Sequence, residues 1–296
     1  MNPIMSGHLA WQDDRLLVEF LADQLLRGRL LLCLGAGVSR FYGLPSWEIL
    51  LQRISKSPPT SPDLALQAEL VLDGEFGGDQ ERFHRAVHGA LYASKGGAED
   101  LLANKAIRAI GALVSQSLRG KVASILTFNY DDLVEQYTSF HGYVVQSVVS
   151  ERYLASVADV IVYHPHGFLP EKAKLEDFKS NIVLTRRDYE RAMDELWQET
   201  ILKLFSTHLV LFIGQSGADA RISAILANAK GKNPYITRFG LPYYGLRLCS
   251  EGDTLKTTWE SRGIFCKTLG DLEQEIPQFL FDLCQFAARS LGDPNE

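Results

Sequence analysis

Asn129, Asp131 and His166 are the residues of this chain best equipped for chemistry: an amide, a carboxyl and an imidazole, each following a run of apolar residues. An amide can hold a hydroxyl or a water, and a neutral imidazole can act as a base near neutral pH. Asp131 can orient Asn129 or stabilise developing positive charge. Two small-residue groups accompany them. Gly35-Ala36-Gly37, followed by Val38-Ser39, reads as a turn from a strand into a helix. Such a turn brings backbone N–H groups and the positive end of a helix to a phosphate, and a dinucleotide pyrophosphate is its natural guest. Gly214-Gln215-Ser216 can approach a ribose or an adenine through its backbone and hydroxyl.

Each group also has a plainer reading. Gly35–Gly37 can be a tight turn with no ligand, and Gly214–Ser216 only a strand-to-helix connection. Asn129 can cap the following helix, and Asp131 can serve its dipole. His166 can be a satisfied turn residue. His164 is expected to face away from the side that His166 serves. The dehydrogenase fingerprint is excluded: Arg40 stands where its last glycine belongs, and Ser55-Lys56-Ser57-Pro58-Pro59 where its acidic residue belongs. No Gly-Lys-Ser/Thr follows, so this is not a Walker A loop.

The elements that must position these residues follow from hydrophobic spacing. Leu30–Leu34, Val122–Phe128, Tyr143–Val149, Val160–Tyr163, His208–Ile213, Tyr243–Cys249 and Ile264–Thr268 read as strands, with Ile182–Leu184 as a further short one. Between them lie helices over Trp11–Arg27, from Ser46 as N-cap, and over Arg186–Phe205 capped by Thr185. Others cover Asp219–Ala229, Thr254–Ser261 and Leu272–Ser290. Three helical patterns, Asp63–Asp73, Asp79–Ala93 and Glu99–Leu118, follow the first strand. The fold class is α/β: a doubly wound, mostly parallel Rossmann-like sheet with a helical insertion after the first strand. Residues 1–55 and 119–296 form the main domain and 56–118 the insertion, a lid, a partner surface or a plain structural module. All four polar groups then fall at carboxyl ends of strands, the edge where open parallel sheets collect ligands.

Composition narrows the function class. The chain has 296 residues, 46% hydrophobic and 22% charged, with a formal net charge of -6. That balance argues against broad attraction to nucleic acid or anionic lipid. Cys33, Cys249, Cys266 and Cys284 form no C-x-x-C pair and read as reduced core thiols of a cytoplasmic protein. No apolar run reaches membrane-spanning length.

Gly35-Ala36-Gly37-Val38-Ser39, Thr127-Phe128-Asn129-Tyr130-Asp131, His166-Gly167 and Gly214-Gln215-Ser216 occur in an order that resembles the sirtuin-like (SIR2-like) NAD-binding family. Gly43-Leu44-Pro45-Ser46-Trp47, Ile182-Val183-Leu184-Thr185 and Gly214–Asp219 are similar to its bacterial anti-phage defence branch. The resemblance covers about Leu30 to Thr268. It implies NAD as substrate, catalytic roles for Asn129, His166 and Asp131, and cofactor contacts from Gly35, Ala36, Gly37, Ser39, Pro45, Trp47, Gly214, Gln215 and Ser216. It also implies a homo-oligomer and a separately encoded HerA-type ATPase as partner. Three departures separate this chain from the protein deacylases of the family. Residues 168–201 contain no cysteine for their zinc module, Phe128 replaces their glutamine, and Ser46-Trp47-Glu48 replaces their phenylalanine-arginine stretch. The expectation is therefore NAD hydrolysis to nicotinamide and ADP-ribose, without a metal. Deacylation, ADP-ribosyl transfer, and an NAD-sensing or scaffold role are the rivals.

Overall fold

A computed structural model describes residues 11–115, 121–149, 158–180, 182–192, 195–215 and 220–290. In chain order these form α1 (Asp14–Leu26), β1 (Leu30–Leu34), α2 (Ala36–Arg40), α3 (Trp47–Ser55), α4 (Leu64–Glu75), α5 (Gln80–Tyr92), α6 (Ala98–Ala103) and α7 (Lys105–Ser115). Then come β2 (Ser124–Thr127), α8 (Leu133–Phe140), β3 (Val145–Val148), β4 (Val160–Tyr163), α9 (Arg186–Ala192), α10 (Glu195–Thr207) and β5 (Leu209–Ile213). The chain closes with α11 (Ala220–Lys230), α12 (Pro234–Thr237), β6 (Gly245–Ser250), α13 (Lys256–Ser261), β7 (Ile264–Leu269) and α14 (Leu272–Ser290).

The sheet order among the described residues is β3-β4-β2-β1-β5-β6-β7, and every pairing is parallel. Each residue of β1 and β5 is buried, as expected of central strands covered on both faces. From β1 the chain passes to β2, then to the edge strand β3, back to β4 between them, and crosses to β5 on the other side of β1. Strand order thus reverses at β1, and a crevice opens at such a switch point. The groups after β4, β2, β1 and β5 lie at four adjacent strand ends.

Helix starts follow the local chemistry. Ser46 Oγ accepts from Ile49 N, Asp63 from Leu66 N and Asp79 from Arg82 N, each satisfying an otherwise orphaned helix donor. Thr185 Oγ1 accepts from Asp188 N while the Asp188 carboxylate accepts from Thr185 N, a reciprocal cap for α9. Several expectations need revision. Ile182–Leu184 forms no strand: Val183 N donates to His166 O, without a ladder. The helix expected after Thr185 is helical over residues 186–192 and 195–207, and the two residues between them lie outside the described ones, whereas the third insertion helix breaks at Asn104 into α6 and α7. Asn104 Oδ1 accepts from Ile107 N there, starting a new helix. The helix start read at Val38-Ser39 is α2, while the short helix α12 carries no periodicity long enough to be read from the sequence.

The helices between β1 and β2 are tied to the site side of the molecule by charge. Arg186 on α9 bonds Asp63 at 2.5 Å, and Arg187 bonds Glu69 and Asp73 of α4. Cys33, Cys249, Cys266 and Cys284 are all buried free thiols. Among the described residues no helix is long and apolar enough to cross a membrane.

Candidate active site

The glycine loop after β1 is built by close approach to the end of β5. A Cβ on Gly35 would lie 2.5 Å from Gly214 O, and one on Gly37 would lie 2.7 Å from Gly214 Cα. Gly214 itself has φ +69°, in the left-handed region that glycine alone adopts freely. Gly35 N donates to Ile213 O, Gly37 N to Gly214 O and Val38 N to Gly35 O. The loop was expected to present free N–H groups to a phosphate. Instead, three of its donors face protein carbonyls in this conformation. Gln215 also turns inward, its Nε2 donating to Leu34 O at 2.9 Å. Its main-chain oxygen accepts from Arg247 Nε at 3.0 Å, and Arg247 is in turn held by Asp253. Ser216 lies outside the described residues.

Asn129 follows β2 and reaches across to β1. Its Nδ2 donates to Gly35 O at 3.1 Å and to Ser39 Oγ at 2.9 Å. A backbone carbonyl only accepts, so the Gly35 contact fixes which end of the amide carries nitrogen. Ser39 Oγ then donates to Asp131 Oδ2 at 2.6 Å. The three side chains form one directed chain, amide to hydroxyl to carboxylate. Among the described residues Asn129 Oδ1 has no protein partner. Ser39, expected at the phosphates, is buried and committed to this chain at both of its ends.

Asp131 is 7% exposed, and burial pushes its carboxyl up to about 6. Hydrogen bonds from Ser39 and from Leu133 N pull the other way, while Glu135 and Asp132 add to the rise. Asp131 therefore supports less native stability when ionised than when protonated. Folded above its unfolded value of 3.8, it favours the folded state as pH falls from about 6 toward 4 and costs stability above that window. Asp131→Asn should thus gain on the wild type by roughly 1 kcal/mol as pH rises from about 5 to 7, since each tenfold change in an ionisation constant is worth about 1.4 kcal/mol. Urea melts at the two pH values measure this; a difference that does not change with pH would refute it.

His166 sits in the turn after β4, where Gly167 has φ +95°. Its ring was expected to stand open to the crevice. It is 5% exposed, packed edge-on against Phe128 at 4.9 Å and Tyr189 at 5.3 Å. Tyr189 in turn meets Trp47 at 5.9 Å. A line of aromatic rings from β2, α9 and α3 thus borders the imidazole. Pro45 immediately precedes Ser46, the cap of α3, the helix that carries Trp47. Tyr189 was missed in the sequence; its only signal was its place one turn after the Thr185 cap.

His164 is wholly buried. It turns away into the protein, as expected, although on a regular strand residues two apart would share a side. The strand ends at Tyr163, and the turn sends the two rings to different neighbours. His164 Nδ1 bonds Asn129 O at 3.1 Å and Nε2 bonds Glu135 Oε1 at 2.7 Å. Burial disfavours its charged form, but the charge and hydrogen bond of Glu135 outweigh this and hold its pKa above the ordinary value. The described residues contain no group of three or more His, Cys, Asp or Glu side chains arranged to hold a metal ion.

Comparison with known proteins agrees with this architecture. Residues 123–265 match the family described as a SIR2-like domain. A curated protein, NAD(+) hydrolase ThsA of Enterococcus faecium, is 26% identical over 226 residues, which is 74% of this chain and 43% of that protein. The chain thus spans less than half the length of this curated relative. A solved Sir2 homologue in complex with NAD superposes with a TM-score of 0.51 at 15% identity, covering 93% of this chain and 95% of that one. A mutant Sir2 homologue in complex with 2'-O-acetyl ADP-ribose gives a TM-score of 0.50 at 15% identity, over 95% and 98%. The sheet and its flanking helices are therefore a Rossmann-like α/β fold of the Sir2 kind.

Proposed function

We propose that this chain hydrolyses NAD+ to nicotinamide and ADP-ribose. The observation that carries the reading is the Asn129 amide, anchored through its nitrogen so that Oδ1 remains as acceptor at the strand-order switch point. The bond from nicotinamide to ribose breaks through a transition state with positive charge on the sugar. Nicotinamide leaves neutral, so no acid need protonate it. The enzyme must hold the ribose, shelter the cation and deliver a water. Asn129 Oδ1 accepts a hydrogen bond from that water or from a ribose hydroxyl. His166 takes the proton released when water adds, a role that typically contributes about 10²–10⁴-fold. Asp131 acts through Ser39 to keep the amide oriented, and its negative charge favours the developing cation. The ring faces of Phe128, Tyr189 and Trp47 keep bulk water from the reacting carbon. Gly35, Ala36 and Gly37 line the pyrophosphate side, and Gly214 and Gln215 the adenosine side.

The similarity to an NAD(+) hydrolase and the sequence resemblance support a wider role. In it the protein depletes NAD as a cytoplasmic effector of anti-phage defence. It works as a homo-oligomer, with residues 56–118 as the module that meets a HerA-type ATPase. Nicotinamide release from NAD+ by the purified protein, alone and with a candidate ATPase, tests the activity. His166→Ala should lower the rate by about 10²-fold or more at temperatures well below its own melting point, measured alongside because the ring is packed against Phe128 and Tyr189. Tight NAD binding without turnover under every condition would instead favour a sensing module. Transfer of labelled ADP-ribose to protein would favour a transferase.

A further inference from the structure

Every hydrogen-bonding group of Asn129 except Oδ1 has a protein partner among the described residues. Its N–H donates to Thr127 Oγ1 at 3.2 Å, and its two amide protons go to Gly35 O and Ser39 Oγ. Its main-chain carbonyl is held by His164 Nδ1 at 3.1 Å. Since that carbonyl can only accept, Nδ1 carries a proton. The other ring nitrogen is anchored to Glu135 Oε1 at 2.7 Å, and the same oxygen accepts from Ser147 Oγ at 3.1 Å. The line runs from β3 through α8 and the end of β4 to the main chain of Asn129. A wholly buried imidazole paired with a largely buried carboxylate is a costly way to fill a core, where apolar side chains of equal volume would serve. What this pair adds is direction: it fixes where the main chain of Asn129 sits, and so where Oδ1 points.

We propose that His164 and Glu135 are positioning residues for the Asn129 amide, holding its main-chain carbonyl from behind the site. This rests on the reading above, in which Asn129 contacts the ribose or the attacking water. A displacement of about 1 Å at a reacting group can cost roughly 10²-fold in rate. The pair therefore acts on turnover and leaves NAD affinity, spread over other contacts, nearly untouched.

Two conservative variants separate positioning from simple support of the fold. Asparagine at 164 places an amide nitrogen where Nδ1 stands and keeps the Asn129 contact. Glutamine places it where Nε2 stands and keeps only the Glu135 contact. Each breaks one buried bond, so both should melt earlier by similar amounts. We expect His164→Asn to retain kcat within about threefold and His164→Gln to lose roughly tenfold or more, with KM for NAD+ within about twofold in both. Activities that fall together, in step with melting temperature, would overturn the proposal. Should either variant fail to fold, Ser147→Ala loosens Glu135 from a half-buried position. It should lower kcat a few-fold at constant KM, and an unchanged kcat would overturn the proposal equally. Hydrogen exchange across residues 127–133 reads the same device without turnover: faster in His164→Gln and unchanged in His164→Asn. A wild-type protein that releases no nicotinamide would sink the NAD hydrolysis reading, and the exchange result would still decide this one.

Discussion

Asn129→Asp should abolish nicotinamide release as completely as Asn129→Ala. The substitution replaces one nitrogen by one oxygen and leaves shape and volume almost unchanged. Its effect comes from the direction of the hydrogen bonds. The Asn129 nitrogen donates to Gly35 O at 3.1 Å, so an aspartate oxygen there would set acceptor against acceptor. Ser39 would also have to reverse. It now accepts from Asn129 and donates to Asp131 at 2.6 Å, and one hydroxyl proton cannot serve two carboxylates. Asp131 is already held up to about 6 by burial, so a second buried negative charge beside it is strongly disfavoured. The new side chain must either take up a proton, which serves Gly35 O or Ser39 Oγ but not both and leaves Oδ1 poorly fixed, or swing out, which removes Oδ1 altogether. Loss of one such preorganised group costs about 10²–10³-fold in kcat. Rates of nicotinamide release for wild type, Asn129→Asp and Asn129→Ala, with melting curves to check folding, decide the matter. An aspartate variant keeping more than about a tenth of wild-type kcat would show that the amide protons do no orienting, and the directed chain through Ser39 would lose its role.

The parts of this site that the sequence disclosed are those with a local signature. A buried strand followed by Gly-Ala-Gly, a strand followed by Asn-Tyr-Asp and a strand followed by His-Pro-His-Gly can each be read within a few residues. A parallel sheet then brings such ends to one edge, so their convergence at β4, β2, β1 and β5 followed from the alternation of strands and helices. Partnerships made across the fold left no such mark. Ser39 and Asp131 lie 92 positions apart, and nothing near either residue announces a 2.6 Å bond. Glu135 reads as an ordinary residue in the first turn of α8 until β4 brings His164 against it. The glycines misled in an instructive way. Their type was read correctly as permitting close approach, but the approaching group includes the backbone of the neighbouring strand end as well as any ligand. Ile182–Leu184 has the apolar composition of a strand yet finds no strand to pair with, and composition alone does not supply a partner.

Gly214→Ala should be among the most destabilising single substitutions in the molecule, and it should empty the site as well. At φ +69° a Cβ is strained before any neighbour is considered, by roughly 1–2 kcal/mol. The neighbours are worse. The added carbon would lie 2.7 Å from Val38 N and 2.9 Å from Gly37 Cα, both backbone atoms of the loop after β1. A flexible side chain could move aside, but this loop cannot. Gly37 N is bonded to Gly214 O at 3.0 Å and Gly35 N to Ile213 O at 2.9 Å, so separating the two strand ends breaks both bonds. Overpacking of this kind adds about 1–3 kcal/mol to the strain. A total near 3 kcal/mol corresponds to a fall in melting temperature of about 5 °C for a domain of this size. Parting β1 from β5 would also withdraw Gly35 O from the Asn129 amide, so activity should fall even well below the melting point. Gly252→Ala is the matched control, since a methyl there meets nothing within 4 Å. It should melt with the wild type. If Gly214→Ala does the same and still releases nicotinamide at the normal rate, the two strand ends are not locked together and the glycines serve the ligand alone.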